Sequence, residues 1–138
     1  MAIFLPTDRK RKYKFNKKTE KFTTYKSDSH NNPLLHILGV HKDNEGVLWF
    51  TSESNGLIKY NRKTDGFTTY HHDPDDPGSI SSNNINFLFV SKKGPIWISA
   101  QNGLNKFNKD TETFERYGEK NGFASNVRGI LEDDKGYL

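Results

Sequence analysis

An all-β fold of repeated four-stranded antiparallel units is what this sequence predicts, on three observations. The pattern Asn-x-x-Thr-x-x-Phe-x-x-Tyr occurs three times, at Asn16-Thr19-Phe22-Tyr25, Asn61-Thr64-Phe67-Tyr70 and Asn108-Thr111-Phe114-Tyr117, with successive Phe residues 45 and then 47 apart. An aromatic residue precedes each copy at a similar interval: Phe4, Trp49 and Trp97. Short apolar runs broken by Gly, Asn and Asp lie between these landmarks, and no stretch carries a helical period. Self-similarity at a fixed interval of this length marks a repeat architecture.

The middle repeat lays out the unit. His36 to Lys42 is a first strand, followed by the turn Asp43-Asn44-Glu45-Gly46, where Gly supplies the positive φ of a tight connection. Val47 to Ser52 is a second strand and Asn55-Gly56 the next turn. Leu57 to Asn61 is a third strand, and a polar stretch, Arg62 to Gly66, leads to the fourth, Phe67 to Tyr70. The next unit repeats this at Ile85–Val90, Pro95–Ala100, Leu104–Asn108 and Phe114–Tyr117, with one residue fewer in its middle turn.

The apolar pattern then chooses among repeat architectures. A strand in a two-sheet sandwich buries one face and alternates. Val47-Leu48-Trp49-Phe50, Pro95-Ile96-Trp97-Ile98 and Ile85 to Val90 are apolar on both faces. Strands buried on both faces suit a sheet held between two others, as propeller blades are around their axis. The more polar Phe-Thr-Thr-Tyr and Phe-Glu-Arg-Tyr strands fit the rim. The sequence therefore predicts β-propeller blades, with full blades at 36–70 and 85–117. Strands 2–4 of another fall at 3–25, and its first strand and the start of its second at 126–138. The total is three blade-lengths, and a closed ring needs about four to eight. One expectation is a homodimer completing a six-bladed ring, with Leu138 of one copy approaching Ile3 of the other. The other is that further sequence of a longer protein completes the ring.

Composition narrows the class. The 138 residues are 32% apolar and 28% charged, which alone would suit disorder, but ten Phe, six Tyr and two Trp favour a core of few, large side chains. There is no cysteine, hence no disulfide frame, thiolate metal site or thiol nucleophile. No apolar run approaches the ~20 residues of a membrane span, and Met1 to Pro6 is too short for the apolar stretch of a signal peptide. The net charge of +4 is concentrated in Arg9, Lys10, Arg11, Lys12, Lys14, Lys17, Lys18 and Lys21. Without a nucleic-acid motif this cluster reads as a solvated strand edge, where Lys discourages edge-to-edge pairing. No nucleic-acid partner is expected.

Gly46-Val47-Leu48-Trp49-Phe50-Thr51-Ser52 through Asn55-Gly56-Leu57-Ile58-Lys59-Tyr60-Asn61, its second copy at Gly94-Pro95-Ile96-Trp97-Ile98-Ser99 with Asn102-Gly103-Leu104, and the linker from Tyr70-His71-His72-Asp73-Pro74 to Ser82-Asn83 together resemble two-component regulator propeller repeats. The resemblance covers nearly the whole chain. It departs at the first unit, where Phe4 replaces Trp, Pro6 follows in the same strand, and Arg9-Lys10-Arg11 replaces a turn Gly. The resemblance implies the extracytoplasmic, periplasmic sensor region of a bacterial hybrid two-component protein, whose histidine kinase, receiver and membrane helix lie in other segments. It further implies carbohydrate-derived signals, hence an oligosaccharide ligand, and no catalysis. Two alternatives stand beside it: a propeller scaffold for protein–protein contact, and an enzyme similar to streptogramin lyases, on the strength of Leu48-Trp49-Phe50-Thr51.

Candidate chemistry is sparse. His71, His72, Asp73, Asp75 and Asp76 are the densest set of possible metal ligands, but Asp-Pro and Pro-Gly steps are turn chemistry. His36 and His41, five apart in the expected first strand, lie on opposite faces. Asp43-Asn44-Glu45-Gly46 resembles the start of a calcium loop, yet Val, Leu and Trp occupy the later ligand positions; Glu132 to Gly136 is the equivalent turn of the last unit. No catalytic residue, cofactor site or metal site is assigned. Glycan binding would use exposed aromatics, with Phe4, Tyr25, Phe50, Tyr60 and Tyr117 as candidates.

Overall fold

The computed structural model describes residues 2–4, 12–28, 30–34, 36–123 and 127–138. Among these, β1 (Ala2–Phe4), β2 (Lys12–Asn16) and β3 (Lys21–Tyr25) form a three-stranded sheet. β4 (Ile37–Lys42), β5 (Leu48–Ser52), β6 (Leu57–Asn61) and β7 (Gly66–Tyr70) form a second, four-stranded one. β8 (Ile85–Val90), β9 (Ile96–Ala100), β10 (Gly103–Asn108) and β11 (Thr113–Tyr117) form a third, also of four strands. Neighbouring strands are antiparallel and follow chain order in every sheet. The one helical piece described is a short 3-10 turn, Glu119–Asn121.

The repeated sequence pattern makes a repeated turn. Asn16, Asn61 and Asn108 each end a third-position strand, and each side-chain oxygen accepts the backbone N–H groups two and three residues on, at 2.9 to 3.3 Å. Four residues after each Asn the backbone turns left-handed, at Glu20 (φ 54°), Asp65 (52°) and Glu112 (55°). That conformation disfavours a side chain, and the Asn hydrogen bonds help hold the turn that imposes it. In the second and third sheets the hairpin after the second-position strand uses glycine instead. A Cβ on Gly56 would stand 2.1 Å from the Tyr70 carbonyl oxygen, and one on Gly103 would stand 2.5 Å from that of Tyr117.

The core lies between sheets. β5 and β6 contribute to two separate clusters through alternate residues, as a strand's period of two requires. Trp49 and Leu57 join Ile80, Ile85, Leu88, Ile96, Ile98, Phe107 and Phe114 toward the third sheet. Phe50, Ile58, Tyr60 and Phe67 join Leu34, Ile37 and Tyr25 toward the first. The second sheet is therefore packed on both faces, which is why its central strands lack a polar side.

Two expectations need correction. The first strand of the second sheet begins at Ile37: His36 has φ 52°, and the register shifts between Ile37 and Gly39. The strand expected from Asn126 to Leu131 does not form among the described residues, which include 127–131 but not Asn126. Backbone hydrogen bonds to a neighbour define a strand, and this segment instead lies across the third sheet. The Val127 carbonyl accepts from Ser99 Oγ and from Asn86 Nδ2, the latter at 3.5 Å, and Glu132 accepts from Ser91 Oγ at 2.7 Å and Lys92 N at 3.0 Å. The turn after it is as expected, with Asp133 accepting Lys135 N and Tyr137 N at 2.9 Å each. Leu5 to Arg11, where the first unit departs from the repeat, lie outside the described residues.

Candidate functional site

The acidic linker is organised from outside itself. Asp73 accepts the Asp75 N–H at 2.9 Å and Asp76 the Gly78 N–H at 2.8 Å, so these carboxylates serve turns. The His72 backbone N–H donates to Asn83 at 2.7 Å, and its Nδ1 lies 2.8 Å from the Ile80 carbonyl oxygen. Arg116, on the rim strand of the third sheet, reaches in beneath. Its Nε donates to the Ser79 carbonyl at 2.6 Å and its Nη2 to the Asp76 carbonyl at 2.7 Å. A guanidinium presents several donors in a fixed plane, which suits it to gather carbonyls from one loop. Among the described residues, no group of three or more His, Asp or Glu side chains is placed to hold a metal ion. Arg116 was missed in the sequence because only its place opposite the linker gives it a role; a lone Arg in a rim strand carries no signal of that.

The densest polar cluster unites two sheets. Lys14 Nζ donates to Asp65 and, at 3.2 Å, to Tyr60 Oη, while the Tyr25 hydroxyl donates to Asp65 at 2.8 Å and that of Tyr60 donates to it as well. Burial works against the Lys14 ammonium, but the bonds to Asp65 and Tyr60 outweigh it and hold its pKa above the usual lysine value. Burial likewise disfavours the Asp65 carboxylate and is outweighed by Lys14, Tyr60 and Tyr25, leaving its pKa lowered. Burial pushes the Tyr25 phenol up to about 12, with Asp65 adding to the shift. An acid, a cation and two phenols within reach of one another resemble proton-transfer machinery. The next pair of sheets argues otherwise, because the same positions recur there. Lys59 donates to Glu112 at 2.8 Å, and burial together with the Glu112 charge pushes the Tyr70 phenol up. A feature rebuilt at each sheet-to-sheet contact is a structural latch.

The remaining candidates are equally committed. Asp43 accepts from Glu45 N at 3.0 Å, Val47 N at 2.8 Å and the Trp49 indole at 3.0 Å, which leaves little of it for calcium. Burial would raise its pKa, but the Trp49 and Val47 donors and the nearby Lys109 charge lower it. His36 is exposed, 3.6 Å from Glu53, while the His41 ring stands edge-on to Phe87 at 6.0 Å and burial lowers its pKa. The structure does not bring the two histidines into one site. Of the aromatics considered for a glycan, Phe50 and Tyr60 are in the core, Tyr25 belongs to the latch, and Tyr117 lies 5.7 Å from Trp97 on the outer face of the third sheet. The side chain of Phe4 is outside the described residues. Among the described residues, large apolar side chains are exposed instead at Phe22, at Leu38 and Val40 of β4, and at Leu131, Tyr137 and Leu138.

No protein-family model matches the chain. Over 94 residues it is 34% identical to histidine kinase P4 of Formosa agariphila, a match covering 67% of this chain and 7% of that protein. Among solved structures it is similar to the extracellular domain of a hybrid two-component system from B. thetaiotaomicron, with a TM-score of 0.63 and 20% identity over 86% of this chain and 18% of the other. A second such domain from that organism gives 0.63 at 15% identity, over 97% of this chain and 20% of the other. The extracellular domain of a one-component system from the same organism gives 0.62 at 20% identity, over 96% and 18%. At these identities the likeness to solved structures is one of fold, and this chain spans about a fifth or less of each of these four proteins. Among the described residues no helix is long and apolar enough to cross a membrane.

Proposed function

We propose that this chain is part of the extracytoplasmic sensor region of a bacterial two-component regulator, binding a signal without chemically changing it. Its sheets would be successive blades of a β-propeller, divided as the sequence divides them. The observation that carries this reading is the 34% identity to a histidine kinase. The fold likeness to extracellular domains of two-component and one-component systems agrees with it. The latches support a binding role over a catalytic one, since the acid–lysine pairs that look reactive are spent between sheets. The kind of signal, a carbohydrate-derived oligosaccharide, follows from the resemblance of the repeats and rests on that alone.

Two measurements test it. The reading frame encoding this chain should continue into a membrane helix and a histidine kinase; a frame lacking both withdraws the sensor role. Calorimetric titration with neutral and acidic oligosaccharides should give saturable heat for one class. Silence across both withdraws the carbohydrate ligand.

A further inference from the structure

Three Asn-Gly steps occur in the chain, at Asn55-Gly56, Asn102-Gly103 and Asn121-Gly122. Such a step is where a polypeptide can modify itself, because glycine has no Cβ to shield its nitrogen from the preceding carboxamide. Ring closure needs a carboxamide nitrogen free to leave and a backbone free to fold toward it. The fold withholds both at two of the steps. Asn55 Nδ2 donates to the Pro33 carbonyl, and the buried Gly56 donates its N–H to the Asn83 carbonyl at 2.8 Å. Asn102 Nδ2 lies 3.4 Å from the Ser81 carbonyl oxygen, and Gly103 is buried in the ladder of β9 and β10, opposite Ala100.

The third step differs on each count. Asn121 and Gly122 are both exposed, at the end of the 3-10 turn that follows β11, and that turn buries no side chain. Asn121 Nδ2 has no hydrogen-bond partner among the described residues, while its Oδ1 accepts the Gly118 N–H at 3.1 Å. That oxygen gains negative charge when a nitrogen adds to Cγ, and a backbone N–H already aimed at it stabilises the charge. One bond holds Gly122 back, from its N–H to the Glu119 carbonyl at 2.9 Å. A single 3-10 turn without core contacts opens locally at little cost.

We infer that Asn121 is a site of self-modification, where the side chain cyclises with Gly122 and water opens the ring to aspartate or isoaspartate. Hydroxide takes the Gly122 N–H proton, and that nitrogen bonds to Asn121 Cγ. The Cγ–Nδ2 bond then breaks, and the nitrogen leaves as ammonia with a proton from water. Water next adds to one of the two ring carbonyls, Asn121 C or Cγ. Breaking the bond from Cγ to the Gly122 nitrogen gives aspartate. Breaking the bond from C gives isoaspartate, whose main chain runs through Cγ. No oxidant or reductant takes part. Either product sets a new carboxylate beside Glu119, and isoaspartate lengthens the connection between β11 and segment 127–132.

Peptide mapping by mass spectrometry, after timed incubation of the chain in mildly alkaline buffer, tests this. Each conversion replaces an amide NH2 with OH, and isoaspartate and aspartate peptides separate on elution. In the folded chain Asn121 should convert at least about tenfold faster than Asn55 or Asn102, since each of those must first break two native contacts. In concentrated urea the three sites should convert at similar rates, and Asn121 should be the one whose folded rate stays close to its urea rate. Asn121→Gln, which would have to close a larger ring, should leave that peptide's mass unchanged while Asn55 and Asn102 behave as in the wild type. Equal folded rates at the three sites overturn the inference, as does an Asn121 slowed by folding in the same proportion as Asn55. A mass gain that persists in the Asn121→Gln peptide overturns it too.

Discussion

Trp49 and Trp97 hold the same place in two sheets that share one local design. Each sits in a second-position strand opposite a lysine of the third, Lys59 and Lys106, and each lies beside the tyrosine ending the fourth, Tyr70 and Tyr117. Yet Trp49 is 1% exposed and Trp97 only partly buried. Local sequence reproduces the strand, the turn and the lysine above the ring. Burial comes from what packs next: the third sheet covers Trp49, while on the outer face of the third sheet the segment 127–132 bonds to Asn86, Ser91, Lys92 and Ser99. The repeat sets the shape of a sheet, and its neighbour sets the energy.

The largest effect that tests this difference is truncation of the two rings. Trp49→Ala should destabilise the fold by about 3–5 kcal/mol, the range for a buried aromatic. It also strands Asp43, whose carboxylate loses the indole donor. Trp97→Ala should cost about half as much or less, since a ring already in contact with water loses less on removal. Urea unfolding of both variants measures the gap, and equal losses would break the comparison.

Glycine substitution should show the opposite, equality between the sheets. Gly56 and Gly103 both have positive φ, 72° and 136°, and both face a backbone oxygen that cannot move aside. Gly56→Ala and Gly103→Ala should each cost roughly 2 kcal/mol or more, combining backbone strain with the clash. A loss confined to Gly56 would mean that the third sheet is held less tightly than its hydrogen bonds imply.

These contrasts mark how far the sequence could be read. The spacing of Phe22, Phe67 and Phe114 reveals the period, and the apolar runs through Trp49 and Ile96 reveal strands with two buried faces, because both are properties of the chain's local pattern. What stays hidden depends on pairing across distance. Glu20, Asp65 and Glu112 look like ordinary rim charges until their turns go left-handed and lysines from the preceding sheet reach two of them. Asn105 replaces the core position filled by Ile58 in the second sheet, and its carboxamide accepts Ser81 N at 2.9 Å. Segment 127–131 has a strand's composition and forms none, because composition cannot provide a partner. No ligand site was legible either, since of the aromatics weighed for one Phe50 and Tyr60 lie in the core, Tyr25 in the latch and Tyr117 beside Trp97.

Acid should separate the inter-sheet contacts from the packing around them. Asp65 and Asp43 have folded pKa values below the ordinary 3.8, and Glu112 below 4.5, the last chiefly through Lys59. A carboxylate held below its unfolded value adds stability that is complete above that unfolded value and lost as pH falls through the folded one. Denaturant midpoints should therefore be level above about pH 5 and decline below about pH 4. Asp65→Asn should flatten that decline, and an unchanged slope would remove Asp65 from the latch.

The smallest effect isolates the latch itself. The Lys59 and Glu112 side chains are 28% and 51% exposed, so water screens much of their attraction. A double-mutant cycle on Lys59→Met and Glu112→Gln should return a coupling of only about 0.2–1 kcal/mol. Lys59→Met alone should cost slightly more than this, because it also removes the ammonium from above Trp49, a contact worth about 0.5–1 kcal/mol. Lys106→Met loses the matching contact with Trp97 but has no acid across a sheet boundary among the described residues. The difference between these two lysines is then the latch measured free of the ring. If Lys106→Met costs as much as Lys59→Met, the acid contributes nothing, and the recurrence of Lys14–Asp65 and Lys59–Glu112 reflects turn geometry alone.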